Sequence, residues 1–86
     1  MLEITLVFED GTSQVHTAVP PVLIGRTPQC AVRIPNWRVG RQHARLARRG
    51  ADIVLEDLGT IVGTLVNGTR IGTHAPVLME DRILIG

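Results

Sequence analysis

The chain has 86 residues, 44% of them apolar and only 2% aromatic, with nine basic and eight acidic side chains. That length makes one domain, small enough to bury only about 60% of the surface of its unfolded chain. No apolar run approaches the roughly 20 residues that a membrane span needs, so no spanning helix is expected within these residues. The net charge of +1 hides an uneven distribution. Residues 11–51 hold Arg26, Arg33, Arg38, Arg41, Arg45, Arg48 and Arg49 with no acid, while both flanking segments are net acidic. A one-sign patch of this kind attracts anions.

Residues 2–8 alternate apolar and polar positions, as a half-buried strand does. Glu9-Asp10-Gly11 supplies turn chemistry, and residues 13–19 return antiparallel to close a first hairpin. The opening does not read as a signal peptide, so a cytoplasmic setting is expected. Pro20-Pro21 ends the second strand because proline lacks the amide that a ladder needs. Residues 22–25 form a short apolar strand, Thr27-Pro28-Gln29 a turn, and residues 31–34 another strand. Cys30 is the lone cysteine and has no partner for an internal disulfide. It is expected to behave as a small buried apolar residue.

The stretch Asn36-Trp37-Arg38-Val39-Gly40-Arg41-Gln42-His43-Ala44-Arg45-Leu46 holds a loop of unusual content, with the single tryptophan, a glycine, a histidine and three arginines. Trp37 is expected to pack beneath this loop, the alternative being an aromatic plate offered to a partner. Residues 43–47 leave the loop as a strand, Arg49-Gly50 turns, and residues 53–56 form the paired strand. Arg45, Arg48 and Arg49 read as a solvated strand face. Residues 57–63 form a second ordered loop. Residues 64–66 and 69–71 flank Asn67-Gly68, the preferred two-residue hairpin turn. Residues 72–76 read as a loop, followed by short strands at 77–79 and 82–85 around Glu80-Asp81. No window carries a capped 3.6-residue period, so no helix is predicted. Many short strands with frequent turns predict an all-β sandwich. The apolar strand at 82–85 leaves an unpaired edge that sandwiches avoid, so a closing strand is expected beyond it.

Gly25-Arg26, Gly40-Arg41-Gln42-His43, Leu55-Glu56-Asp57-Leu58-Gly59, Gly63-Thr64-Leu65-Val66-Asn67-Gly68 and Asp81-Arg82-Ile83-Leu84-Ile85-Gly86 occur in this order. Together they make residues 22–86 resemble the forkhead-associated (FHA) domain. The length gives a single domain over residues 1–86, expected to open a longer protein because Met1 leads directly into a strand, and the resemblance implies a twisted β-sandwich of two mostly antiparallel sheets. It also implies loops at one end that bind phosphothreonine peptides. A phosphate with nearly two negative charges and three acceptor oxygens requires guanidinium groups, hydroxyls and backbone amides on rigid loops. By this resemblance Arg26, Gly40, Arg41, Thr60, Ile61 and Val62 are the phosphopeptide-binding positions, and Gly25, His43 and Asn67 brace the loops. The chain departs from the family pattern in three places. Gly40 stands where a serine hydroxyl usually meets the phosphate, leaving only its amide to face an anion. Ile61 and Val62 replace a threonine and the asparagine that holds the peptide backbone. Each hydrogen bond so removed is worth roughly 0.5–1.5 kcal/mol.

Arg26 and Arg41 are read either as phosphate ligands or as solvated, loop-bracing charges. Ile61 and Val62 either form an exposed apolar patch or tuck inward. The expected function is a non-catalytic interaction module that recognises a phosphothreonine-containing or acidic segment. The alternative is the same fold with a degenerate phosphate site, binding a protein partner without phosphorylation or self-associating through an exposed edge strand. The arginines also raise nucleic-acid binding, but lysine and stacking aromatics are lacking, which disfavours it. His16, Cys30 and His74 lack metal-ligand spacing, so neither metal nor cofactor is expected. His43 has no nucleophile or acid spaced to work with it, which speaks against an enzyme.

Overall fold

The computed structural model describes residues 1–7 and 11–86. Ten strands are formed among them: β1 Leu2–Val7, β2 Ser13–Ala18, β3 Val22–Gly25, β4 Val32–Arg33, β5 Ala44–Arg49, β6 Asp52–Asp57, β7 Thr64–Val66, β8 Thr69–Ile71, β9 Thr73–His74 and β10 Ile83–Ile85. No helix occurs among the described residues, so none there could cross a membrane. The end of the first predicted strand at Phe8 and the turn residues Glu9 and Asp10 lie outside the described residues.

The strands form three hydrogen-bonded sets. One layer is a five-stranded sheet in the order β4-β3-β5-β6-β9. The facing apolar side chains come from the β1–β2 hairpin and from a three-stranded sheet, β10-β7-β8. All pairs are antiparallel except β3 with β4, where Ile24 faces Val32 and Gly25 faces Arg33. Alternation places Leu2, Ile4 and Leu6 of β1 inward, and Glu3, Thr5 and Val7 outward. The inward set meets a core of Val22, Ile24, Val32, Ala44, Leu46, Leu55 and Val66. Val22, Val32 and Leu55 are wholly buried. Burial of these branched side chains stabilises the sandwich by about 1.5–3 kcal/mol each. Among the described residues β1 pairs only with β2, and β10 only with β7. Their inner sides border an apolar groove of about 500 Å³ that also touches Ile24, Leu46 and Ile53.

Two local expectations are corrected. Residues 77–79 do not form a strand, and the pairing falls instead on β9, where His74 faces Leu55 and Thr73 faces Glu56. Pro76 has no amide to continue the ladder. The chain beyond it closes a turn in which the Leu78 amide bonds the Asp81 carboxylate at 2.8 Å and the Asp81 amide bonds the Leu78 carbonyl at 3.1 Å. Trp37 does not pack under its loop and is 82% exposed. The Asn36 carboxamide oxygen accepts the Arg38 amide at 2.9 Å, and the Asn36 carbonyl accepts the Val39 amide at 3.0 Å. That turn sends Val39 into the interior and Trp37 out, where the Arg38 guanidinium lies 5.4 Å from its ring centroid.

Candidate functional site

The two loops singled out in the sequence meet at one end of the sandwich, joined by His43. This ring is fully buried. Its Nδ1 accepts the Gly40 amide at 2.9 Å, which leaves the proton on Nε2 to be donated to the Gly63 carbonyl at 2.8 Å. One neutral tautomer thus ties the 36–42 loop to the 58–63 loop, as the expected bracing role requires. A Cβ at Gly40 would lie 3.1 Å from Thr60 Cγ2, so the loops also touch directly.

The first loop is pinned again through the Arg41 carbonyl. It accepts the amides of Arg26 and Thr27, the Thr27 hydroxyl at 3.2 Å and the Cys30 thiol at 3.3 Å. Cys30 is buried, as expected. Any Cβ at Gly25 would collide with that same carbonyl, which explains the glycine there. Arg26 donates Nε to the Val39 carbonyl at 3.2 Å, leaving its terminal nitrogens toward solvent. Arg26 and Arg41 are both exposed, and among the described residues neither pairs with a carboxylate. A shallow pocket lined by Thr27, Gln29, Arg41 and Gln42 opens beside them.

The second loop is built around Asp57. Its Oδ1 accepts the hydroxyls of Thr60 at 2.7 Å and Thr64 at 2.8 Å, and its Oδ2 accepts the amides of Gly59 at 3.0 Å and Thr60 at 3.1 Å. Burial pushes the carboxyl up, but these four donors outweigh it and hold Asp57 below its ordinary value of 3.8. The Thr60 hydroxyl also accepts the Gly63 amide at 3.0 Å. From the other side, Arg70 Nη2 donates to the carbonyls of Thr60 at 3.1 Å and Ile61 at 3.2 Å. Ile61 is 94% exposed and Val62 48%, so the apolar pair faces outward rather than tucking in.

Of the positions named from sequence, Gly40, Arg41, Thr60, Ile61 and Val62 lie on these two joined loops, Arg26 lies on the adjoining β3–β4 connection, and Gly25 and His43 lie beneath them. Their roles shift in three cases. The Gly40 amide, expected to face an anion, is engaged by His43. The Thr60 hydroxyl, expected at the ligand, points inward to Asp57. Asn67 braces the opposite end of β7, where its side chain bonds Asp81 Oδ1 and the Arg82 amide, both at 3.0 Å. Asp57, Thr64 and Arg70 were not singled out. Asp57 was visible as the acid of Leu55-Glu56-Asp57-Leu58-Gly59, whereas nothing in the local sequence points Arg70 at a loop ten residues away.

The FHA domain family matches residues 22–86. The chain is 33% identical over 74 residues to the FHA domain-containing protein FhaB of Mycobacterium tuberculosis, covering 86% of this chain and 48% of that protein. A relative of the same name from Mycolicibacterium smegmatis is 33% identical over 66 residues, covering 77% of this chain and 43% of that protein. This chain therefore spans about half the length of the curated relatives it matches. Among solved structures, the FhaA FHA domain complexed with the intracellular domain of Rv3910 superposes with a TM-score of 0.82 at 28% identity, over 95% of this chain and 90% of that one. A structure from a study of phosphothreonine-dependent FHA domain interactions superposes with a TM-score of 0.78 at 26% identity, over 99% of this chain and 88% of that one. With ordered motifs, a matching β-sandwich and two braced loops at one end, this chain belongs to the FHA domain family.

Proposed function

We propose that this protein-interaction module is non-catalytic and reads a phosphothreonine-containing or strongly acidic peptide segment across its two braced loops. The observation that carries this reading is the pair Arg26 and Arg41. Both guanidinium groups are exposed and without a carboxylate partner among the described residues. Arg41 follows Gly40 on the loop that the buried His43 ties in place, and the Arg26 amide bonds the Gly40 and Arg41 carbonyls of that loop. Uncompensated guanidinium groups on braced backbone offer charge-assisted hydrogen bonds to phosphate oxygens. One related structure comes from work on phosphothreonine-dependent interactions, which supports the same ligand class here.

The test is a calorimetric titration with matched phosphothreonine and unmodified peptides. The phosphorylated peptide should bind measurably tighter, and Arg26→Ala or Arg41→Ala should weaken it by roughly tenfold to a hundredfold. Equal affinity for both peptides would sink the reading.

A second reading rests on the outward-facing Ile61 and Val62. An apolar pair beside a cationic rim also fits a protein partner bound without phosphorylation, and equal affinities in the same titration would favour it. The unpaired sides of β1 and β10 carry a separate expectation of self-association. Light scattering over a dilution series should then show a mass that rises with concentration, and a constant monomer mass would dismiss it.

A further inference from the structure

The amides of the second loop are unequally used. Gly59 and Thr60 donate to Asp57, and Gly63 donates to the Thr60 hydroxyl. The amides of Ile61 and Val62 donate to no described residue, on the most exposed part of the loop. They are also oriented. The bonds from Thr60 to Ile61 and from Ile61 to Val62 are trans, so each carbonyl points opposite to the amide of the same peptide plane. Arg70 draws the carbonyls of Thr60 and Ile61 toward its guanidinium. The amides on those two planes therefore point away from Arg70.

Gly63 completes the arrangement. Its φ is +90°, and a Cβ there would lie 2.8 Å from Arg70 Nε and 3.0 Å from Cζ. The absent side chain lets the guanidinium lie against the loop backbone and reach the two carbonyls. Consecutive free amides on a constrained turn make an anion-binding concavity. The hydrogen-bonding capacity resides in the backbone, so the apolar side chains of Ile61 and Val62 do not remove it.

We propose that the backbone amides of Ile61 and Val62 are a second contact for the acidic group of the bound segment, with Arg70 as the positioning residue that aims them. This rests on the phosphopeptide-reading role proposed above. It differs from that role in placing donors on the second loop, without a polar side chain at either position.

The test is a titration of ¹⁵N-labelled protein with a phosphothreonine peptide, alongside affinities for Arg70→Ala and Arg70→Lys. The amide resonances of Ile61 and Val62 should move downfield and rank among the largest shifts. Arg70→Ala should weaken phosphopeptide binding about tenfold and so narrow the preference for the phosphorylated over the unmodified peptide. Arg70→Lys should recover only part of the loss, since an ammonium group lacks the planar geometry for both carbonyls. Phosphopeptide binding that leaves both resonances in place, or that Arg70→Ala does not alter, would overturn this inference and leave the Arg26 and Arg41 role standing. Wild-type protein that does not prefer the phosphorylated peptide would overturn both. The wild-type spectrum supplies the decisive reading should either variant fold poorly.

Discussion

Asp57 shows how one side chain can organise a loop that has no secondary structure. Four donors converge on its carboxylate, two of them hydroxyls from Thr60 and Thr64 that would otherwise need partners in a largely buried place. Replacement by asparagine keeps the shape but turns an amide group toward donors, so Asp57→Asn should cost about 1–3 kcal/mol at neutral pH. The pH dependence has a definite sign. The folded carboxyl titrates below its ordinary 3.8, so its contribution is fully present above that value. It is lost as the pH falls through the lower folded value. Thermal melts should therefore show a gap between wild type and Asp57→Asn that is constant through neutrality and closes only in strong acid. A gap that already closes well above that range would show that the carboxylate is not held as described. Of these residues, the sequence made His43 legible through its motif. The inward turn of Thr60 was not, because a threonine in a loop can bond a ligand or its own backbone equally well.

At the scale of elements, the β7–β8 hairpin was the most legible feature, since Asn-Gly combines two residues that tolerate left-handed backbone. Asn67 takes φ of +51° and Gly68 +84°. Asn67 has a second task, linking this turn to Asp81 and Arg82 across the end of the sheet. The two contributions can be separated by mutation. Asn67→Ala strains the backbone and removes the link, which should cost about 1–2 kcal/mol. Asn67→Gly keeps the backbone and removes only the link, so denaturant melts should place it between wild type and Asn67→Ala. Equal losses for both would mean that backbone strain contributes nothing. The strand at 73–74 was illegible for a related reason. Two residues are too short to show a period, and their pairing with β6 is a long-range contact that local pattern does not report. Trp37 was misplaced because its size argues for burial, whereas the Asn36 turn decides which way the side chain leaves the backbone.

For the whole molecule, many short strands separated by frequent turns were enough to predict a sandwich. The division of one layer between the β1–β2 hairpin and β10-β7-β8 was not, since it depends on which edges find each other. The central strands β3, β5 and β6 each have partners on both sides, while β1 and β10 face the groove with one side unpaired. Such a seam should act as the place where the fold breathes. Hydrogen–deuterium exchange followed strand by strand should run fastest in β1 and β10 and slowest in β3, β5 and β6. The two braced loops hang from both kinds of region, the first between β4 and β5 and the second between β6 and β7. Fluctuations of the seam would therefore reach the second loop through β7, whereas β5, the strand that follows His43, would keep the first loop still.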